Sequence, residues 1–275
     1  MPDLNDLCHD LAEEQASLDG LLEPLDAQGW SRATPASGWT LRDQVAHLYF
    51  GDNRARLTAA DPAAFKALRD HEYADKEQFA LAMVSPELGR DGIAVYEAWL
   101  RERTALIETY RHVDPKVRVE WYGPPMSPAS KISARIMETW AHGQDIADTL
   151  AATRTPTARL RHVAHIGVGA RRFSYVANGQ PIDDTPVYVE LVAPSGDHWT
   201  WGDPAAADAN AVRGAALDFC LVTTQRRHIA DAALDVRGEA ALAWMSIAQA
   251  FAGPPGAGRA PGQFPIADHT REHRR

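Results

Sequence analysis

Glu138 and His142 stand four positions apart in MSPASKISARIMETWAHGQDIADTLA, a segment whose apolar residues recur at helical spacing. On a helix that spacing puts both side chains on one face. A carboxylate and an imidazole placed so can share one divalent cation, at about 2.0–2.2 Å for zinc. A third ligand must come from another helix. His47, in WTLRDQVAHLYF, lies between Val45 and Leu48 on the inward side of its segment. One His with a Glu-x3-His pair gives three protein ligands and leaves a coordination position open, as catalytic zinc sites do. The donor set suits zinc, and nickel, iron or manganese bind the same groups. Spacing alone is a weak signal in a chain with 11 His, and by itself it fits a helix salt bridge beside a satisfied core histidine better than a metal site. A second pair, Glu108 and His112, reads as an exposed ion pair at a helix end. Asp145 shares the face of Glu138 and His142, and Gln44 lies one turn before His47. Either can orient a ligand by a hydrogen bond. For Asp145, a plain helix-stabilising carboxylate is the equal alternative.

The elements that must carry these residues are helical. Residues 3–27 place Leu4, Leu7, Leu11, Leu18, Leu21 and Leu22 at helical spacing. GWSRATPASGW (29–39) is a turn-rich loop, and Thr40-Leu-Arg-Asp43 reads as a capping box opening a helix that runs towards residue 59. A charged helical segment covers 62–83, and a further helix covers 86–112, opening at Ser85-Pro86. After the proline-rich loop 121–131, the last helix of this half starts near Ser127 or Ser130 and runs to about Ala152. Four long helices with one charged crossover predict a four-helix bundle over residues 1–153. TRTPT (153–157) marks a boundary. The pattern beyond it predicts a small α+β domain over 157–253: a helix at 157–177, strands at 187–192 and 198–201 round a turn at 194–197, a helix at 209–224, a short strand at 234–237 and a helix at 239–252. Residues 254–275 read as a flexible Pro/Gly-rich tail, and the His269-x3-His273 pair within it as no structured site.

Taken together, Trp39-Thr-Leu-Arg-Asp-Gln-Val-Ala-His47-Leu and Glu138-Thr-Trp-Ala-His142-Gly-Gln-Asp145 resemble the DinB-like superfamily. Within it they resemble the mycothiol-dependent maleylpyruvate isomerase group. The resemblance implies a four-helix bundle holding a metal ion through a His on the second helix and a Glu-x3-His on the last, here His47, Glu138 and His142. It also implies that the second half is a sterol-carrier-protein-like α+β module. The stretch from Ala215-Ala216-Leu217-Asp218-Phe219 to Gln225-Arg226-Arg227 carries that likeness. In that group an Arg of the second domain serves the active site. Arg226 or Arg227 would then clamp an anionic group of substrate or thiol, as a guanidinium does a carboxylate. The other reading of the two is a surface pair near Asp218 or Asp231. The chemistry implied is a mycothiol-dependent isomerisation or S-transfer on an electrophilic small molecule. A hydrolase or lyase of natural-product metabolism using the metal's Lewis acidity is an alternative, and so is a small-molecule binding protein without turnover.

Composition narrows the classes. A net charge of −9 argues against a nucleic-acid or anionic-membrane partner. No apolar run of about 18 residues is present to span a bilayer. The polar, acidic start MPDLNDLCHDLAEEQ is not a secretory signal, so a cytoplasmic location is expected. Cys8 and Cys220 sit in apolar helical contexts and read as small core residues rather than nucleophiles. The Gly167-Val-Gly169 stretch lacks the strand-turn-helix context of a dinucleotide site. The oligomeric state is not set by the sequence.

Overall fold

The structure is a computed structural model and describes residues 3–256 and 258–264. It divides into two compact units, Met1–Arg154 and Thr155–Arg275. The His269–His273 pair, and most of the expected tail, lie outside the described residues.

In the first unit α1 (Leu4–Ala16), α2 (Asp19–Leu22) and α3 (Ala27–Trp30) precede α4 (Leu41–Ala60). The helix expected over 3–27 is therefore interrupted after Ala16. The start of α4 is a complete capping box: the Thr40 side chain accepts from the Asp43 N–H, and the Asp43 carboxylate accepts from the Thr40 N–H at 2.9 Å. The charged stretch breaks at Ala74 into α5 (Pro62–Tyr73) and α6 (Lys76–Ala82). The next long helix opens later than Ser85-Pro86. Residues Pro86–Leu88 form a short 3-10 turn, and Asp91 caps α7 (Gly92–Arg111) by accepting from the Ile93 N–H. Ser127 caps α8 (Pro128–Leu150), with Pro128 in the first turn, where its missing N–H costs nothing.

The four long helices pack in a ring, α1 touching α7 and α8, and α4 touching the same two. One apolar cluster joins Leu18, Leu22, Trp30, Leu41, Val45, Leu48 and Trp99, and another joins Leu7, Cys8, Leu11, Leu106, Tyr110, Ile132 and Ile136. A buried polar knot ties the ring through one residue from each helix. Asp52 of α4, fully buried, accepts from Gln15 Nε2 of α1 at 2.9 Å, Trp99 Nε1 of α7 at 2.8 Å and Arg135 Nε of α8 at 2.8 Å. Arg135 crosses α4 at Gly51, where an added Cβ would sit 2.2 Å from its Nη1. A side chain at that position would displace the guanidinium from its place.

The second unit begins with α9 (Leu160–Gly169) and α10 (Arg171–Ala177), two helices where one was expected over 157–177. Strands β1 (Tyr188–Val192) and β2 (His198–Trp201) form the expected hairpin. The helix expected over 209–224 is replaced over its first part by a strand. β3 (Ala211–Ala215) lies parallel to β1, inside a four-stranded sheet of order β2-β1-β3-β4. Ala-Val-Arg-Gly-Ala holds a single β-branched residue and runs straight into α11 (Ala216–Thr223) with no turn residue between, so its composition reads as helix. Parallel pairing with β1, a tertiary effect, decides otherwise. β4 (Leu234–Arg237) pairs antiparallel with β3, and α12 (Glu239–Ile247) follows, ending five residues short of the expected 252. Among the described residues no helix is long and apolar enough to cross a membrane.

Candidate metal centre

Helices α4 and α8 bring His47, Glu138 and His142 together, with one ligand atom from each lying within 4.8 Å of the others. Tetrahedral ligands on bonds of 2.0–2.2 Å stand about 3.4 Å apart. The His142 Nε2–Glu138 Oε2 separation of 3.3 Å already matches that figure. The side chains of His142 and Glu138 are 12% and 24% exposed, so the site is walled by protein on most sides and retains an opening.

Both imidazoles are turned the same way by their outer nitrogens. His47 Nδ1 lies 3.1 Å from the Met83 carbonyl, which only accepts, so Nδ1 carries the proton and Nε2 keeps its lone pair. His142 Nδ1 lies 2.6 Å from Gln44 Oε1. Gln44 in turn donates from Nε2 to Thr34 Oγ1 at 3.0 Å, and Thr34 donates to the Trp39 carbonyl at 3.0 Å. That chain fixes which end of the amide faces His142, and hence puts the proton of His142 on Nδ1 and leaves Nε2 for a cation. Metal-ligating histidines are held by this device, the outer N–H donated to a fixed acceptor. The residues present therefore fit a divalent cation: two aimed imine nitrogens and a carboxylate, with a side open to solvent.

The electrostatics favour the ligating forms. Burial, reinforced by His142, lowers the His47 pKa from 6.5 to about 3, so the ring is neutral at physiological pH. Burial pushes the Glu138 carboxyl up, but a hydrogen bond with His142 and the positive charges of its neighbours outweigh it and hold the group near 2; that bond places a proton on His142 Nε2, where a bound cation would sit instead. Glu138 is thus an anion close to the neutral His47 ring. Trp39 covers the pair, its ring 5.9 Å from His142 at 15° and 5.1 Å from His47. Phe50, one turn after His47, stacks on its ring at 6.2 Å and begins an aromatic wall continued by Phe79 and Tyr122.

The remaining sequence candidates divide. Gln44 is the acceptor beside His142. Asp145 is fully buried on α8, where its backbone carbonyl accepts from Thr149 Oγ1 at 2.8 Å. Glu108 and His112 form an exposed ion pair at 3.0 Å at the end of α7. Arg226 and Arg227 belong to the second unit, just past α11. Arg226 Nη1 donates to the Thr224 carbonyl at 2.7 Å, and the Arg227 guanidinium lies 4.5 Å from the Phe264 ring centre. Cys8 and Cys220 are both fully buried, and burial raises their thiol pKa values, to about 11 for Cys8, so neither is a ready nucleophile.

Sequence reading held Trp39 only as the first residue of a motif, and missed Phe50 and the Met83 carbonyl. Phe50 carried a signal, its place one turn beyond His47. The carbonyl carried none, being a backbone atom delivered from 36 residues away.

Comparison with known proteins places the segment that carries the site in a known domain family. Residues 11–147 match the family model of the mycothiol maleylpyruvate isomerase N-terminal domain, a span containing all three candidate ligands. Two uncharacterized proteins from two strains of Mycobacterium tuberculosis are each 42% identical to the chain over 266 residues, covering 94% of it and 100% of their own length. Two solved structures, a mycothiol-dependent maleylpyruvate isomerase and a histidine-to-alanine mutant of it, share the fold at a TM-score of 0.53 and 15% identity, covering 82% of this chain and 90% of theirs. Residues 11–147 thus belong to the mycothiol maleylpyruvate isomerase N-terminal domain family, and the chain as a whole belongs to one family with the two Mycobacterium tuberculosis proteins.

Proposed function

We propose that this protein is a metal-dependent enzyme that uses mycothiol as co-substrate and acts on an electrophilic small molecule, as an isomerase or an S-transferase. The observation that carries the reading is the pair of imidazoles with Nδ1 tied to fixed acceptors, grouped with the Glu138 carboxylate, which lies 3.3 Å from His142 Nε2. His47, Glu138 and His142 would hold the ion, with zinc the best match to the donors and nickel an alternative. A bound divalent cation supplies Lewis acidity, which lowers the pKa of a thiol placed in its open position.

The chain's own residues do the rest. The Met83 carbonyl and Gln44 keep the two rings from rotating, so the ligand atoms need little rearrangement. Trp39 and Phe50 exclude water from the imidazole faces. The partly exposed side at Glu138 is the approach for thiol and substrate. In the isomerase version the thiolate adds to a conjugated carbon–carbon double bond, whose electron pair moves onto the adjoining carbonyl. The former double bond turns, and the pair returns as the thiolate leaves, so no proton or electron is gained or lost. In the transferase version the adduct persists. Arg226 or Arg227 would bind an anionic group of the substrate or thiol.

Metal analysis of the purified protein, with turnover assayed in the presence and absence of mycothiol, tests this. The expected result is about one ion per chain and thiol-dependent turnover that His47→Ala abolishes while the fold survives. Stoichiometric uptake of small molecules with no product would make it a binding protein instead, and turnover indifferent to thiol would point to hydrolase or lyase chemistry.

A further inference from the structure

The Met83 carbonyl that orients His47 comes from a segment with little structure of its own. Between α6 and α7 the backbone forms only the short turn Pro86–Leu88. It bends at Ser85, which takes a left-handed conformation at φ 43° although it is not glycine. Such a bend persists only where the surroundings hold it. Ser85 is fully buried, and its hydroxyl donates to the Ala46 carbonyl at 3.3 Å.

The main tie is Arg42. Its guanidinium, 9% exposed at residue level, donates to three backbone carbonyls of the segment: Val84, Ser85 at 2.9 Å and Gly89 at 2.5 Å. Its Nη1 also reaches Asp43 Oδ1 at 3.2 Å, while Asp43 Oδ2 closes the capping box on Thr40. Arg42 and His47 stand on the same helix, five residues apart. A closed circuit results, from α4 through Arg42 to the strap 84–89, through the Met83 carbonyl to His47, and back to α4.

We infer that Arg42 is a positioning residue for His47: it holds the strap that presents the Met83 carbonyl to the imidazole. A planar guanidinium with five donors can bind several carbonyls at once, which neither an ammonium nor an apolar side chain does with the same geometry. The hydrogen bonds of Arg42 go to the strap carbonyls and to Asp43, so it acts on His47 through the strap. The consequence for metal binding rests on the reading of His47, Glu138 and His142 as ligands; the effect on His47 itself does not.

The test compares the full-length wild type with Arg42→Met, Arg42→Lys and Arg103→Met. Arg103 is a partly buried arginine paired with Asp19 at 2.7 Å, and its loss controls for general destabilisation. Two readouts are taken. In metal-free protein, the His47 Nδ1–H resonance is followed by NMR. In protein titrated with Co2+ and Zn2+, affinity and the visible Co2+ spectrum are recorded.

The expected result is that wild type and Arg103→Met keep a slowly exchanging His47 Nδ1–H. Arg42→Met loses it, with circular dichroism unchanged, and Arg42→Lys falls between. Metal affinity in Arg42→Met drops tenfold or more, in the range seen when a ligand histidine loses its supporting acceptor, and the Co2+ band shifts. A His47 Nδ1–H protected equally in Arg42→Met and wild type overturns the inference. So does an equal loss in Arg103→Met, which would make the effect one of stability alone. If wild type binds neither ion yet Arg42→Met alone frees His47, the ligand reading falls and the positioning role stands.

Discussion

Replacing Gln44 by Leu removes the acceptor for His142 Nδ1 while nearly preserving side-chain volume. Gln44 is fully buried and makes two bonds, to His142 at 2.6 Å and to Thr34 at 3.0 Å. Each intramolecular bond contributes about 1 kcal/mol, and leaving the largely enclosed His142 N–H without a partner costs about 1–3 kcal/mol. The apolar replacement recovers part of this, so unfolding free energy should fall by about 1–2 kcal/mol. The effect on metal affinity should be larger in kind. With Nδ1 untied the ring can turn or change tautomer, and Nε2 is no longer reserved for the ion. Loss of such a supporting bond typically weakens binding 10–100-fold, or about 1.4–2.7 kcal/mol. Zn2+ affinity measured by competition with a chromophoric chelator, beside urea denaturation of the metal-free protein, separates the two effects. Gln44→Glu keeps an acceptor at the same place and should retain most of the affinity. A Gln44→Leu variant that binds zinc as tightly as wild type would refute the orienting role.

Three other outcomes follow from the fold and the buried groups. Asp52→Ala should cost about 3–5 kcal/mol in urea denaturation, because it strands the buried Arg135 guanidinium; a loss under about 1 kcal/mol would show that the knot does not tie the four helices. Lys131 is almost fully buried with its Nζ 3.1 Å from the Trp121 ring centre, and burial, reinforced by Arg135, lowers its pKa from 10.5 to about 6. The unfolded chain holds that proton up to about pH 10.4, so between about 6 and 10 the unfolded state binds more protons and stability rises with pH, by at most about 1.4 kcal/mol per unit. Lys131→Met should flatten that slope, and an unchanged pH profile would show Lys131 to be charged in the fold. Cys8 and Cys220 should react with a thiol reagent only after denaturation, and rapid labelling of native protein would contradict their burial.

How much of this was legible in sequence depended on whether the signal was local. The capping box at Thr40 and Asp43, the Ser127-Pro128 start of α8 and the 188–201 hairpin are short-range chemistry and could be read directly. Glu138 and His142 could be placed on one face because four residues make a helical turn. Their meeting with His47 rested on a family resemblance, since periodicity does not say which helices touch. β3 was misread as helix because its alanines and glycine carry no strand signal and only pairing with β1 and β4 makes it one. The Asp52 knot was missed because four residues on four helices share no spacing. Arg42 and the Met83 carbonyl were missed for the same reason, their contact depending on how the strap between α6 and α7 folds back on α4.

The central claim is that one divalent ion is held by His47, Glu138 and His142. A crystal of the zinc-loaded protein, with anomalous scattering recorded on both sides of the zinc edge, tests it most directly. The account predicts a single strong peak at about 2.0–2.2 Å from both Nε2 atoms and the Glu138 carboxylate, with each Nδ1 still facing Met83 or Gln44. A peak elsewhere, or none in fully loaded protein, would contradict it.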